Sequence, residues 1–245
     1  MAYLDGFVLA VPTANKDKFI AHASTADAAF LDYGATRIFE NWGANVTAGK
    51  TTDFLRAVDA KDDETVLFSW IEWPDKPTRD AAYAKVMAPD FDDERMDQTR
   101  NPMPFDGKRM IYGGFEPIVT HGAPGAGDYV QGFVVPVSTA RREAYRAMAE
   151  GAWSTFEGYG ATSLVEAWGN DVPEGKQTDF YRAVKAEPDE TVVFSWITWP
   201  DRATCDAAGE KMKNDPAMQM PDDIPFDAKR MIWAGFEPVV VLGER

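Results

Sequence analysis

Glu40 and Glu166 have the strongest claim to chemistry in this sequence, because each stands two positions before a tryptophan in a segment that reads as a β-strand. Alternate side chains of a strand share a face, so Glu40 projects beside Trp42 and Glu166 beside Trp168. If that face is a barrel interior, burial raises the carboxyl pKa and the glutamate becomes a general base usable near neutrality. The competing reading is an ion pair with Arg56 or Arg182 on the neighbouring segment. Those arginines follow Asp53 and Asp179 by three positions. In an extended segment that spacing puts acid and base on opposite sides, leaving each arginine to reach another carboxylate or an anionic ligand.

Ser69 and Ser195 lie between Phe and Trp in the clearest strand patterns. No histidine recurs to activate them as nucleophiles, so they read as small residues admitting a neighbour, or as donors to a ligand. Trp70, Trp73, Trp196 and Trp199 read as core or interface, with Trp70 and Trp196 also candidates to stack on a ligand. The sequence holds no Walker A loop, strand-linked GxGxxG, GxSxG or CxxC. His22 aligns with Met148 and His121 falls in a Gly-rich stretch, which argues against a symmetric His-ligated haem or metal site. Asp90, Asp92, Asp93 and Glu94 lack EF-hand spacing and read as a solvated loop. Asp106–Arg109 reads as a turn with solvated charges. No metal and no cofactor are expected.

These residues come in pairs because the chain is an internal duplication. YLDGFVLAV at Tyr3 recurs as YVQGFVVPV at Tyr129, an offset of 126 residues. The same offset carries TDFLRAV at Thr52 to TDFYRAV at Thr178, and ETVLFSWIEWPD at Glu64 to ETVVFSWITWPD at Glu190. The register slips by five near residue 88, after which PFDGKRMIYGGFEP at Pro104 matches PFDAKRMIWAGFEP at Pro225. About half of the aligned positions are identical. HGAPGAGD, residues 121–128, reads as a flexible linker between repeats 1–120 and 129–245.

Within the first repeat, residues 3–11 and 65–73 read as strands. Phe19, Ala23, Ala26 and Phe30 lie at helical spacing between Asn15 and Tyr33. Residues 36–42 read as a second strand and 52–59 as a continuation of its pairing in a hairpin. A second helix runs from Asp75 or Thr78 to about residue 88, and the last strand spans 109–119. Val66, Phe68 and Trp70 point one way; Leu67, Ser69, Ile71 and Trp73 point the other. A strand with almost no polar face must be covered on both sides. The order β-α-β-β-α-β is the ferredoxin-like split βαβ arrangement. Helices cover one face of such a sheet, and the other repeat must cover the second. The expected fold is α+β: two ferredoxin-like units forming a dimeric α/β barrel within one chain, an intrachain pseudo-dimer.

The strings Y-x-D-G-F-V, T-D-F-x-R-A-V, F-S-W-I-x-W-P and P-F-D-G-K-R-M-I-Y-G-G-F-E resemble the YbaA-like family, a bacterial group of unknown function. The resemblance covers nearly the whole of each half. It implies a dimeric α/β barrel, usually built from two chains of about half this length. Its members commonly carry Glu-Cys-Trp-Gly on the second strand, where this chain has Glu40-Asn41-Trp42-Gly43 and Glu166-Ala167-Trp168-Gly169. Chemistry that depends on that thiol is therefore not available here.

The formal net charge is −15. Residues 1–122 carry 13 basic and 20 acidic side chains and the remainder 12 and 20, so the acidity is spread and not confined to a tail. Such a surface repels phosphate backbones and argues against nucleic acid and anionic membranes as partners. The single cysteine, Cys205, permits no intrachain disulfide. With no signal-peptide pattern at the N-terminus, that suggests the cytoplasm. No apolar stretch approaches the roughly 20 residues of a membrane span.

Together these features point to a small-molecule-binding barrel with one apolar pocket per half, lined by aromatic residues and by Glu40/Glu166 and Arg56/Arg182. If it is an enzyme, the glutamates are its bases and no cofactor is needed. The rival expectation is a non-catalytic binding or assembly module with a filled core. A ligand site needs a cavity of roughly 300 Å³ or more with convergent polar groups; a scaffold fills the same space with Trp and Phe at close packing.

Overall fold

Strand β1 (Tyr3–Pro12) begins a computed structural model that describes residues 2–213, 215–216 and 223–243. It is followed by α1 (Lys16–Asp32), β2 (Arg37–Asn45), α2 (Phe54–Ala57), β3 (Glu64–Trp73), α3 (Lys76–Val86) and β4 (Ile111–Gly122). The second repeat supplies β5 (Tyr129–Ser138), α4 (Arg142–Gly158), β6 (Ser163–Asp171), α5 (Phe180–Ala183), β7 (Glu190–Trp199), α6 (Arg202–Met212) and β8 (Ile232–Leu242).

The eight strands close into one antiparallel barrel in the order β1-β3-β2-β8-β5-β7-β6-β4. Closure removes the sheet edges that each repeat would otherwise expose. Two strands make the seams. The start of β4 pairs with β1 of its own repeat, and from Gly114 onward β4 pairs with β6 of the other. β8 likewise pairs with β5 and then crosses to β2. β4 takes in His121 and Gly122, paired with Leu164 and Ser163, so the connection between the repeats shortens to 123–128.

The expected hairpin at 52–59 is instead one turn of helix, α2. Asp53 caps it: its Oδ1 accepts the Arg56 N–H at 2.8 Å, and Asp179 does the same for Arg182 at 2.7 Å in α5. A capping carboxylate satisfies a backbone N–H that has no partner within the helix. The turn also brings together charges that an extended chain would keep apart. The Arg56 guanidinium lies 3.4 Å from Asp53 and that of Arg182 lies 2.8 Å from Asp179, contrary to the expected separation.

The alternation read in β3 holds. Val66, Phe68 and Trp70 enter the barrel, while Leu67, Ile71 and Trp73 pack under the helices. The interior is full of rings. Phe68 stacks on Phe194 at 4.2 Å between centroids with the planes 1° apart, and Trp70 stacks on Trp196 at 4.1 Å. Phe115 and Phe236 flank the phenylalanine pair. Gly6 and Gly132 let the sheets approach this closely. A Cβ on Gly6 would stand 2.9 Å from the Phe194 ring, and one on Gly132 3.0 Å from Phe68. Trp70, Trp73, Trp196 and Trp199 are all buried.

Candidate functional site: two carboxyl sites between sheet and helices

Glu40 and Trp42 do share a strand face, but it is the helical side of the sheet and not the barrel interior. Phe39, the residue before Glu40, points the other way, into the barrel, and stacks on Trp70 at 4.5 Å. Trp42 instead packs with Phe19 of α1, their rings 6.3 Å apart, and Lys16 Nζ lies 5.3 Å from the Trp42 ring centroid. Trp168 is placed equivalently, with the Arg142 guanidinium 5.7 Å from its ring.

On this face each glutamate meets the serine directly across the ladder. Glu40 is the strand partner of Ser69 and Glu166 of Ser195. The Ser69 hydroxyl donates to Glu40 Oε2, and Ser195 hydrogen-bonds to Glu166. Burial under the helix pushes both glutamates up from 4.5 to about 7, against the lowering effect of these serine bonds. A carboxyl that titrates there exists in both protonation states at neutral pH.

The two sites differ in what α1 and α4 place above them. In the second repeat, Tyr145 of α4 donates its hydroxyl to Glu166 Oε2 at 2.7 Å, and both side chains are buried. In the first repeat the same position is Phe19, which has no hydroxyl to give. There α1 supplies Asp27 instead, at the position of Trp153. Burial, and then the negative charge of Glu40, raises the Asp27 pKa well above the ordinary carboxylate range. Its Oδ2 is buried with no hydrogen-bond partner among the described residues. As whole residues Glu40 and Asp27 are partly buried, and Glu166 is 9% exposed. The first repeat therefore holds two carboxyl groups that share a desolvated space and resist simultaneous ionisation.

The expected grouping of Glu40 with Arg56, and of Glu166 with Arg182, is not formed. The arginines sit on α2 and α5, with side chains 54% exposed and turned to the capping aspartates. Trp70 and Trp196 stack on each other in the core, and both are buried. Arg109 is not a solvated turn residue. It is buried and makes a two-pronged ion pair with Glu64 at 2.6 and 2.7 Å, which holds that carboxyl at about 2; Arg230 repeats the pair with Glu190. No group of three or more His, Cys, Asp or Glu among the described residues could hold a metal ion.

A family model described as a protein of unknown function, DUF1428, matches residues 2–107 and again 128–228. The chain belongs to the DUF1428 family. This tandem DUF1428 chain is 52% identical over 119 residues to the uncharacterized protein YbaA of Escherichia coli K12, an alignment that takes in 98% of YbaA and 49% of this chain. YbaA of Shigella flexneri matches with the same identity and coverage. One YbaA length thus corresponds to about half of this protein, as a fused dimer requires.

Among solved structures, a candidate monooxygenase from Lactobacillus acidophilus NCFM superposes with a TM-score of 0.57 at 11% identity, covering 99% of this chain and 96% of its own. An anthrone oxidase-like protein gives 0.56 at 16% identity, with 98% and 92% covered. A candidate monooxygenase from Fusobacterium nucleatum gives 0.55 at 9%, with 99% and 94% covered. At these identities the likeness is one of fold, the dimeric α/β barrel. No helix among the described residues of the DUF1428 chain is long and apolar enough to cross a membrane.

Asp27 and Tyr145 are the site residues that sequence reasoning missed. Asp27 lies four residues after Ala23 and three before Phe30, on the apolar face of α1. An acid on that face, where the other repeat has Trp153, was the available signal. For Tyr145 there was less to see, because a tyrosine at a core position of a helix reads as an ordinary packing residue.

Proposed function

We propose that the protein binds a small organic molecule under α1 and moves a proton to or from it with Glu40, Asp27 acting as the adjacent proton store. The observation that carries this reading is the pair itself: two desolvated carboxyl groups beneath a helix, one hydrogen-bonded to Ser69, on residues that are only partly buried. Burial holds Glu40 near 7, which suits a base working at neutral pH. The step is transfer of a proton from an activated C–H or O–H to the Glu40 carboxylate, with the electron pair left on the substrate. Glu166, closed over by Tyr145, is the less reactive counterpart. Some fold neighbours bear names of oxidising enzymes, and substrate deprotonation is compatible with such chemistry, but at 9–16% identity they lend only analogy.

The test is hydrogen–deuterium exchange into a panel of cyclic ketones and phenol-related carbon acids in D2O, followed by proton NMR. Catalysed exchange into at least one compound is expected from the wild type and from Glu166→Gln, and a loss of about 100-fold from Glu40→Gln, in the range of a lost general base. Equal exchange by wild type and Glu40→Gln would sink the proposal.

A second reading has its own support. In the barrel interior Phe68 stacks on Phe194 and Trp70 on Trp196 between the two sheets. That is the packing of an assembly module. It bears on the interior and leaves the helix-side carboxyl pair unexplained.

A further inference from the structure

At one end of the barrel α2 and α5 meet across the pseudo-two-fold axis, and between them lies a cleft of about 460 Å³. Four cationic side chains line it: Lys50, Arg56, Arg182 and Lys185. The one acid in the lining, Asp59, accepts a hydrogen bond from Gln177 Nε2 at 3.0 Å. The chain as a whole carries a net charge of −15, so four positive groups around one space run against its overall balance. Lys50 and Lys185 have no charged or hydrogen-bonding partner for their ammonium groups among the described residues. Arg56 and Arg182 each pair with the aspartate that caps their own helix, Arg182 Nη1 also donates to the Gly175 carbonyl, and more than half of each side chain is exposed.

The cleft does not end there. Through Lys50, Thr51 and Thr52 it runs into a second depression of about 560 Å³, which adds Lys229, Trp233 and the capping carboxylate of Asp53, itself paired with Arg56. Trp233 is 53% exposed, whereas Trp42, Trp70, Trp73, Trp168, Trp196 and Trp199 are all buried. A charged trough joined to an open indole face fits a molecule with one anionic end and one planar end.

We propose that this groove binds an organic dianion of the aryl phosphate class, its charged end between Arg56 and Arg182 and its ring against Trp233. The guanidinium pairs supply forked donors to the anion, and the lysines add to the local field that draws it in. The site is independent of the Glu40 carboxyl pair, so either can fail alone.

The probes are phenyl phosphate and inorganic phosphate, titrated by calorimetry into the full chain at low ionic strength. Phenyl phosphate is expected to bind at least fivefold more tightly than inorganic phosphate. The Arg56→Ala/Arg182→Ala double variant is expected to weaken both ligands by tenfold or more. Lys50→Gln/Lys185→Gln, which disturbs no helix cap, is expected to weaken both by at least threefold, and serves should the arginine variant fold poorly. Trp233→Ala is expected to abolish the preference for the ring. Absence of binding at millimolar phenyl phosphate, or affinity within twofold of wild type in a folded arginine or lysine double variant, overturns the site. A preference for phenyl phosphate that survives in Trp233→Ala overturns the role given to the indole.

Discussion

Glu40 and Glu166 are costly residues. Each exchanges water for the underside of a helix, and a single serine or a serine and a tyrosine do not restore what hydration gave. The cost falls on the ionised form, so the folded state holds the proton up to about pH 7 while the unfolded chain releases it near 4.5. Stability drawn from this difference is complete below pH 4.5 and is lost as pH rises through 7. The rise from 4.5 to about 7 corresponds to roughly 3 kcal/mol per glutamate as an upper figure. Glu166→Gln keeps an acceptor for Tyr145 and removes the titration. Urea denaturation at about pH 5 and about pH 8 should therefore show the variant losing up to about 3 kcal/mol less than wild type between the two conditions. Parallel losses in the two proteins would mean that Glu166 is not desolvated. Sequence pattern named these glutamates and the strand face they share with Trp42 and Trp168. It did not tell which face was inside, because alternation assigns side chains to faces and both faces of β3 are apolar. Only the closure of the barrel, with Phe68 and Trp70 turned inward, decides that Glu40 looks toward α1.

Strands and long helices were legible for the same reason: their apolar residues repeat with the period of the element, twice over. The short helices α2 and α5 were not. One turn of helix has no period to display, and Phe54, Leu55, Ala57 and Val58 pass for an extended segment unless the capping role of Asp53 is seen. Register is the other property fixed at this scale. Gly6 on β1 lies against Phe194, and a methyl group there has to displace a ring already stacked at 4.2 Å. Gly6→Ala should destabilise the protein by about 1–3 kcal/mol through overpacking. Gly151, within α4, provides the contrast, because a methyl group added there would meet open space. Gly151→Ala should stabilise by about 0.5–1 kcal/mol, because alanine has less backbone entropy to lose. Thermal or chemical denaturation of the two variants checks both signs, and a neutral Gly6→Ala would show that the aromatic stack has slack.

For the whole molecule, duplication has turned an interface into a core. The repeats do not merely touch: β4 and β8 each pair along much of their length with a strand of the other repeat. Residues 123–128 tie together two halves already joined by these ladders and by the rings between them. A protease site placed in that segment and cleaved in the folded protein should leave one species of unchanged mass by native mass spectrometry. Separation into two halves on cleavage would mean that the connection, and not the barrel, holds the molecule together. Fusion also frees the two sites to diverge, since a homodimer must keep them identical. Phe19 against Tyr145, and Asp27 against Trp153, are the places where they have done so.

The most direct measurement is a pH titration of the glutamate side-chain carboxyl carbons by NMR in selectively 13C-labelled protein. Two resonances should move with midpoints near 7, one vanishing in Glu40→Gln and the other in Glu166→Gln. Midpoints near 4.5 for both would place these carboxyl groups in water and leave the site under α1 without its chemistry.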